Sequence, residues 1–183
     1  MSHKNVLAVD FGASSGRVML GNFDGNRISI QELHRFPNDP VILNGTMYWD
    51  FLRLFFEVKQ GLIKAKKYGK IDSIGVDTWG VDFGLIDKEG NLLENPVHYR
   101  DARTAGMLEK SFGKMDKDRF YQITGSQFME INTVFQLLAL LEKRPGLLEG
   151  TSRLLLMPDL FNYYLCGARV SEYSIASTTQ MLD

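Results

Sequence analysis

Hydrophobic and polar positions divide the chain into short alternating stretches and longer stretches of helical spacing. Val6 to Val9 form a brief apolar run, and alternation resumes from Arg17 to Phe23 beyond a glycine-containing loop. That pattern predicts two strands joined by the loop. Asp24-Gly25-Asn26 reads as a turn, after which Ile28, Ile30 and Leu33 continue a third strand. A meander of three consecutive antiparallel strands is therefore expected at the start of the fold.

The stretch from Pro37 to Met47 reads as a loop. Asp50 is placed to cap a helix whose apolar positions are Phe51, Leu54, Phe55, Val58, Leu62 and Ile63, with Gly69 to end it. Ile71, Ile74 and Val76 predict a strand that returns to the same sheet through that helix, hence parallel to a neighbour. Thr78 to Gly80 interrupt it, and Val81, Phe83 and Leu85 alternate beyond, up to a turn at Asp87 to Asn91. A helix is expected from Thr133 to Lys143, with Val134, Leu137, Leu138 and Leu141 on its apolar face and Arg144-Pro145-Gly146 as its stop. Leu154 to Met157 reads as a buried strand, and Asp159 to Cys166 as a helix ended by Gly167. The sum is a mixed α/β domain.

Composition narrows the partners. The 183 residues carry a formal charge of -1, from 21 basic and 22 acidic residues, so no basic surplus points to nucleic acid or an anionic membrane. Neither is expected as a partner; small solutes are. The single cysteine, Cys166, makes no internal disulfide, and the opening MSHKNVLAVD lacks a signal-peptide core, which fits a cytoplasmic location. His3, His34 and His98 lie far apart, outside the spacings of zinc sites. A metal carried in by a nucleotide is compatible with this pattern. The eight methionines read as core filling.

Candidate chemistry concentrates in two segments. In DFGASSGR, a strand ending at Asp10 gives way to Gly12, Ala13, Ser14, Ser15 and Gly16 before Arg17 opens the next strand. Backbone N–H groups and hydroxyls around such a turn suit anionic oxygens. Glycine permits close approach of the backbone to phosphate, and Arg17 adds a charge-assisted donor or anchors the loop. A carboxylate at Asp10 repels phosphate directly, so its fitting task is to hold magnesium, through water, next to the phosphates. The helix-opening GxGxxG and GxxxxGK[ST] loops do not fit, because this loop opens a strand. An ordinary polar hairpin is the competing reading.

In GVDTWGVDFG, Asp77 and Asp82 flank Thr78-Trp79-Gly80 where a strand breaks, a common place for ligand groups in open α/β sheets. Asp82 suits sugar hydroxyls, Trp79 an apolar wall, and Gly80 an accessible backbone. A core tryptophan with turn-forming carboxylates is the alternative. His98, Tyr99, Arg100, Asp101 and Arg103 form a polar cluster for which surface ion pairs are the favoured reading. Most polar residues from Gln127 to Asn132 and from Ser174 to Gln180 suit loop and cap roles.

Taken together, VLAVDFGASSGRVML, IDSIGVDTWGVDFGLID, PVHYRDART, NTVFQLLAL, LLLMPDLFNYYLCG and EYSIASTTQ resemble the FGGY family of carbohydrate kinases from about Val6 to the last residues. The WGVDF and YRDxRT wording resembles the branch that phosphorylates L-rhamnulose. The resemblance implies an actin-like ATPase, ribonuclease-H-like domain with a mixed sheet, an antiparallel three-strand meander plus parallel strands, flanked by helices. It implies ATP and Mg2+ as cofactors and a small sugar as substrate. ATP phosphates would meet Ala13, Ser14, Ser15, Gly16 and Arg17; Asp10 would serve the metal; Gly80 and Asp82, with Trp79, would hold the sugar, and Tyr99, Arg100 and Asp101 are weaker carry-overs. Residues 1–183 are expected to form an incomplete N-terminal kinase domain, its partner the C-terminal domain of the same enzyme. The catalytic base is expected beyond Asp183, so no residue here takes that role. Kinases for xylulose or fuculose, and a non-catalytic nucleotide- or sugar-binding module, are the alternatives.

Overall fold

The computed structural model describes residues 3–183. In chain order the strands are β1 (Lys4–Phe11), β2 (Ser15–Phe23), β3 (Ile28–Pro37), β4 (Val41–Leu43), β5 (Thr46–Tyr48), β6 (Ser73–Asp77), β7 (Phe83–Ile86) and β8 (Arg153–Leu156). The α-helices are α1 (Phe51–Ala65), α2 (Met107–Phe112), α3 (Lys117–Thr124), α4 (Thr133–Lys143), α5 (Pro145–Glu149), α6 (Met157–Cys166) and α7 (Tyr173–Ala176). They fall into two compact units, residues 1–39 with 50–79 and residues 40–49 with 80–183.

The first unit is a four-stranded mixed sheet in the order β3-β2-β1-β6. The predicted meander is present: β1 pairs antiparallel with β2 and β2 with β3, with an irregularity at Val18/Met19. The predicted parallel strand is β6, in register with β1 from Val6↔Ser73 to Asp10↔Asp77. Helix α1 makes the crossover, capped by the Asp50 carboxylate, which accepts from the Arg53 N–H at 3.2 Å. It buries Phe51, Leu54 and Val58 over the sheet, where Leu7, Val9, Val18 and Leu20 are also buried. Gly61 sets the closeness of that contact, since a Cβ there would lie 2.3 Å from a Val18 methyl. Ile63, expected inward, is exposed, because it falls outside the stripe formed by Phe51, Leu54, Val58 and Gly61. The helix passes into a 3-10 turn, Lys66–Tyr68, which Gly69 closes at φ 84°.

The second unit contains what the sequence pattern missed. Pro37 to Met47 is not wholly loop: β4 and β5 form a hairpin turned by Asn44-Gly45, with φ of 50° and 78°. Asn-Gly supplies the positive φ values a two-residue hairpin turn demands. Strand β8 pairs antiparallel with β7, so these two strands form a separate sheet. Helix α4 has the predicted bounds, but its buried side chains are Thr133, Phe135, Gln136, Ala139 and Leu140, while Leu141 is exposed. The buried face is turned toward Gln136, whose amide finds buried polar partners. Arg144 ends α4 as expected, yet Pro145 then opens α5, its missing N–H being harmless in a first turn. Met107 and Met157 fill the core, whereas Met115, Met129 and Met181 are exposed.

Candidate functional site

The segment from Gly12 to Arg17 joins β1 to β2 as a tight hairpin in the first unit, with Gly12, Ala13, Ser14 and Arg17 exposed. Its base is set by packing: a Cβ on Gly16 would lie 2.3 Å from the Phe36 ring and 3.1 Å from Phe11. Three of its carbonyl groups are occupied. The Ser15 carbonyl accepts from Gly12 N–H at 2.9 Å, the Ser14 carbonyl from Asn38 N–H at 3.1 Å, and the Gly12 carbonyl from Asn38 Nδ2 at 2.8 Å. The N–H groups of Ala13 and Ser14 have no acceptor among the described residues. An exposed turn that leaves the Ala13 and Ser14 donors open while its Gly12, Ser14 and Ser15 acceptors are used is suited to an anion.

Asp10, at the end of β1, faces Arg17 across the β1–β2 ladder, and Oδ2 accepts from both Arg17 Nε and Nη2 at 2.7 Å. The pair is solvent-exposed, with side-chain exposures of 36% and 45%, so it holds orientation more than it stabilises the fold. No group of three His, Cys, Asp or Glu side chains is placed to hold a metal among the described residues. Asp10, with Asp77 in register beside it on β6, fits Mg2+, which takes one or two carboxylates and completes its shell with water and phosphate oxygens. Trp79 packs edge-on to Phe11, with ring centroids 6.2 Å apart.

In the second unit, Asp82 is fully buried. Its Oδ2 accepts from Trp49 Nε1 at 2.6 Å and Tyr99 N–H at 3.1 Å, and its Oδ1 from Gln136 Nε2 at 3.0 Å. Gln136 Oε1 in turn accepts from Arg103 Nη2 at 2.5 Å. Burial pushes the Arg103 guanidinium pKa down, and the Asp82 and Asp101 carboxylates oppose that shift. His98 stacks on Trp49 at 4.0 Å, and desolvation together with the Arg100 charge lowers its pKa to about 4. It is a neutral, structural imidazole whose Nδ1 accepts the Arg100 N–H.

Just before Asp82, the Asp82 N–H donates to the Gly80 carbonyl at 2.9 Å around Val81, which has φ 68°. A β-branched residue in that region is strained, and this three-residue turn is a rare form. Its neighbours hold it: Thr133 Oγ1 donates to the Val81 carbonyl at 2.7 Å, and Val81 N–H donates to Thr178 Oγ1 at 3.2 Å. Thr178 also lies over Gly80, where a Cβ would come within 3.1 Å of it. Strained backbone of this kind is concentrated at ligand sites.

The remaining candidates divide. Tyr99 is half-buried, and the exposed Arg100 lies 5.4 Å above its ring. Asp101 accepts the N–H groups of Met47 and Arg103 at 2.8 and 2.9 Å and lines a cavity of about 320 Å³ with Thr46, Arg103 and Lys143. Asn132 stands at the start of α4, as its polar stretch suggested, and Glu172, outside both stretches, caps α7. Asn38, Trp49, Thr133 and Gln136 escaped the sequence reading. Only Gln136 left a signal, an amide in the middle of an otherwise apolar helical run.

Solved structures place this fold among the sugar kinases. Gluconate kinase from Lactobacillus acidophilus matches with a TM-score of 0.85 at 17% identity, over 100% of this chain and 37% of its own. Xylulose kinase from Rhodospirillum rubrum matches at 0.84 and 17%, over 98% and 38%. The fold is the actin-like ATPase fold of these kinases. The profile of the FGGY family of carbohydrate kinases, N-terminal domain, covers residues 5–183, and the chain belongs to that family. Among curated relatives, the Bacteroides thetaiotaomicron protein named rhamnulokinase is 42% identical over 98% of this chain, and that of Oceanobacillus iheyensis 43% over 97%. The chain spans 37% and 38% of their respective lengths.

Proposed function

We propose that this chain is the N-terminal part of an ATP-dependent sugar kinase that transfers the γ-phosphoryl group to the 1-hydroxyl of L-rhamnulose. The observation that carries the reading is the β1–β2 hairpin, an exposed turn with free N–H groups beside Asp10. Ala13, Ser14, Ser15, Gly16 and Arg17 bind the phosphates of ATP, and Asp10 holds Mg2+ through water. Bound there, the ion would supply the charge neutralisation on the phosphate oxygens that phosphoryl transfer requires. Gly80, through its backbone, and Tyr99 with Arg100 meet the sugar; Asp82 holds Trp49, Tyr99 and Gln136 in place around them. The base that takes the hydroxyl proton comes from sequence beyond Asp183.

The choice of L-rhamnulose rests on the two relatives named rhamnulokinase. ADP release by the longer enzyme carrying this chain, measured across L-rhamnulose, xylulose and fuculose, tests it: kcat/KM is expected to be highest on L-rhamnulose. A preference for another ketose reassigns the sugar, and binding without turnover on any makes the protein a binding module. The isolated 183-residue chain is expected to show no substantial turnover.

A further inference from the structure

We infer that Asn38, the residue after β3, is the positioning residue that fixes the donor face of the phosphate hairpin; the inference rests on reading that hairpin as a phosphate site. Asn38 is polar yet only 1% exposed. Its backbone N–H takes the Ser14 carbonyl and its Nδ2 takes the Gly12 carbonyl, so one residue grips two peptide groups of the turn. No peptide bond among the described residues is cis. In a trans peptide the N–H lies opposite the preceding carbonyl. Holding the Gly12 and Ser14 carbonyls therefore turns the N–H groups of Ala13 and Ser15 away from Asn38.

The consequence is electrostatic. A turn of small residues, Gly12-Ala13-Ser14, interchanges easily between conformers that expose an N–H and conformers that expose a carbonyl oxygen. A carbonyl facing an anion repels it, so a peptide flip converts a binding turn into a repelling one. Asn38 removes that alternative for the Gly12–Ala13 and Ser14–Ser15 peptides before any anion arrives, which is preorganisation. The amide bears a cost, since its Oδ1 is buried without a hydrogen-bond partner. Leucine in the same slot would avoid that cost; what it would lack is the donor to Gly12. Phe36, two residues earlier, supports the base of the same hairpin through Gly16, so the end of β3 underlies the whole loop.

Titration of the chain with Mg2+-ATP, followed by amide NMR, tests the two levels separately. In the unsubstituted chain the amide resonances of Ala13, Ser14 and Ser15 are expected to shift on saturation. If none moves, the reading of the hairpin as a phosphate site fails, whatever Asn38 does. Given binding, Asn38→Ala is expected to weaken it about tenfold and to reduce the shift of the Ala13 amide at saturation, with the fold intact by circular dichroism. Asn38→Leu, which fills the slot without a polar atom, serves if the alanine variant does not fold. Affinity within twofold of the unsubstituted chain, with an unchanged Ala13 shift, overturns the role of Asn38.

Discussion

The hairpin of the first unit and the Asp82 cluster of the second handle polar atoms in opposite ways. At the hairpin, the Ala13 and Ser14 donors lack acceptors among the described residues, while the Gly12, Ser14 and Ser15 carbonyls are tied down. Around Asp82 the carboxylate is fully buried and receives bonds from Trp49, Tyr99 and Gln136. An unmade bond at an exposed turn costs little, because water fills it until a ligand arrives; an unmade bond in the core costs the desolvation of the group. The two segments read with similar expectations from sequence, yet the first leaves backbone donors open and the second spends its carboxylate on neighbouring side chains and backbone. Substitutions in the second should therefore remove stability, and substitutions in the first should remove binding.

The largest loss of stability is expected for Asp82→Ala. It takes away the acceptor of the Trp49 indole and of the Tyr99 N–H and one of the three acceptors of the Gln136 amide, and removes a carboxylate that supports the buried Arg103. Breaking such a buried charged network costs about 3–5 kcal/mol. Denaturant unfolding read by Trp49 fluorescence, in a Trp79→Phe background, measures it; a loss under about 1 kcal/mol would show that the cluster behaves like a surface pair. Next is Gly16→Ala, where the new methyl collides with the buried Phe36 ring, at an overpacking cost of about 1–3 kcal/mol. Fluorescence of Trp79 in a Trp49→Phe background reports on that unit.

The contrast also explains what could be read in the sequence. The meander, the parallel strand β6 and the Asp50-capped helix follow local period and capping, which single residues announce. Helix α4 was legible in extent but not in orientation, because its buried face is chosen by the bonds of Gln136 to Asp82 and Val81, partners more than fifty positions away. Ile28 and Ile30 alternate correctly for β3, yet both are exposed, since alternation marks a strand without saying which face is covered. The β4–β5 hairpin carried a plain Asn-Gly signal inside a stretch whose prolines suggested loop. Asn38 left none, for an asparagine after Phe-Pro reads as a turn former until its distant partners Gly12 and Ser14 are seen.

A smaller effect is expected from pH. His98 is held neutral in the fold, with its pKa lowered to about 4 by desolvation and then by Arg100, against 6.5 when unfolded. The unfolded chain thus binds the proton first as pH falls, and stability rises with pH wherever the unfolded state binds more protons. The contribution is complete above pH 6.5, declines between 6.5 and about 4, and is lost below that. His98→Phe keeps a ring against Trp49 and is expected to flatten this slope in urea melts taken across the window. A slope unchanged by the substitution would assign the pH dependence to another group.

The smallest change in stability, paired with a large change in function, is expected at Asp10. Its bond to Arg17 is exposed, so Asp10→Asn should alter unfolding by less than about 1 kcal/mol. The same substitution removes the charge proposed to hold Mg2+ beside the phosphates. Turnover of the enzyme carrying this chain should fall on the order of a hundredfold, with a raised Mg2+ requirement, while sugar affinity stays near that of the unsubstituted enzyme. Arg17→Met separates the partners: it breaks the same ion pair but leaves the carboxylate, so it should weaken ATP binding without changing the Mg2+ requirement. If Asp10→Asn and Arg17→Met lowered stability as much as Asp82→Ala and left the Mg2+ dependence intact, the hairpin would be part of the scaffold, and the contrast between the two segments would collapse.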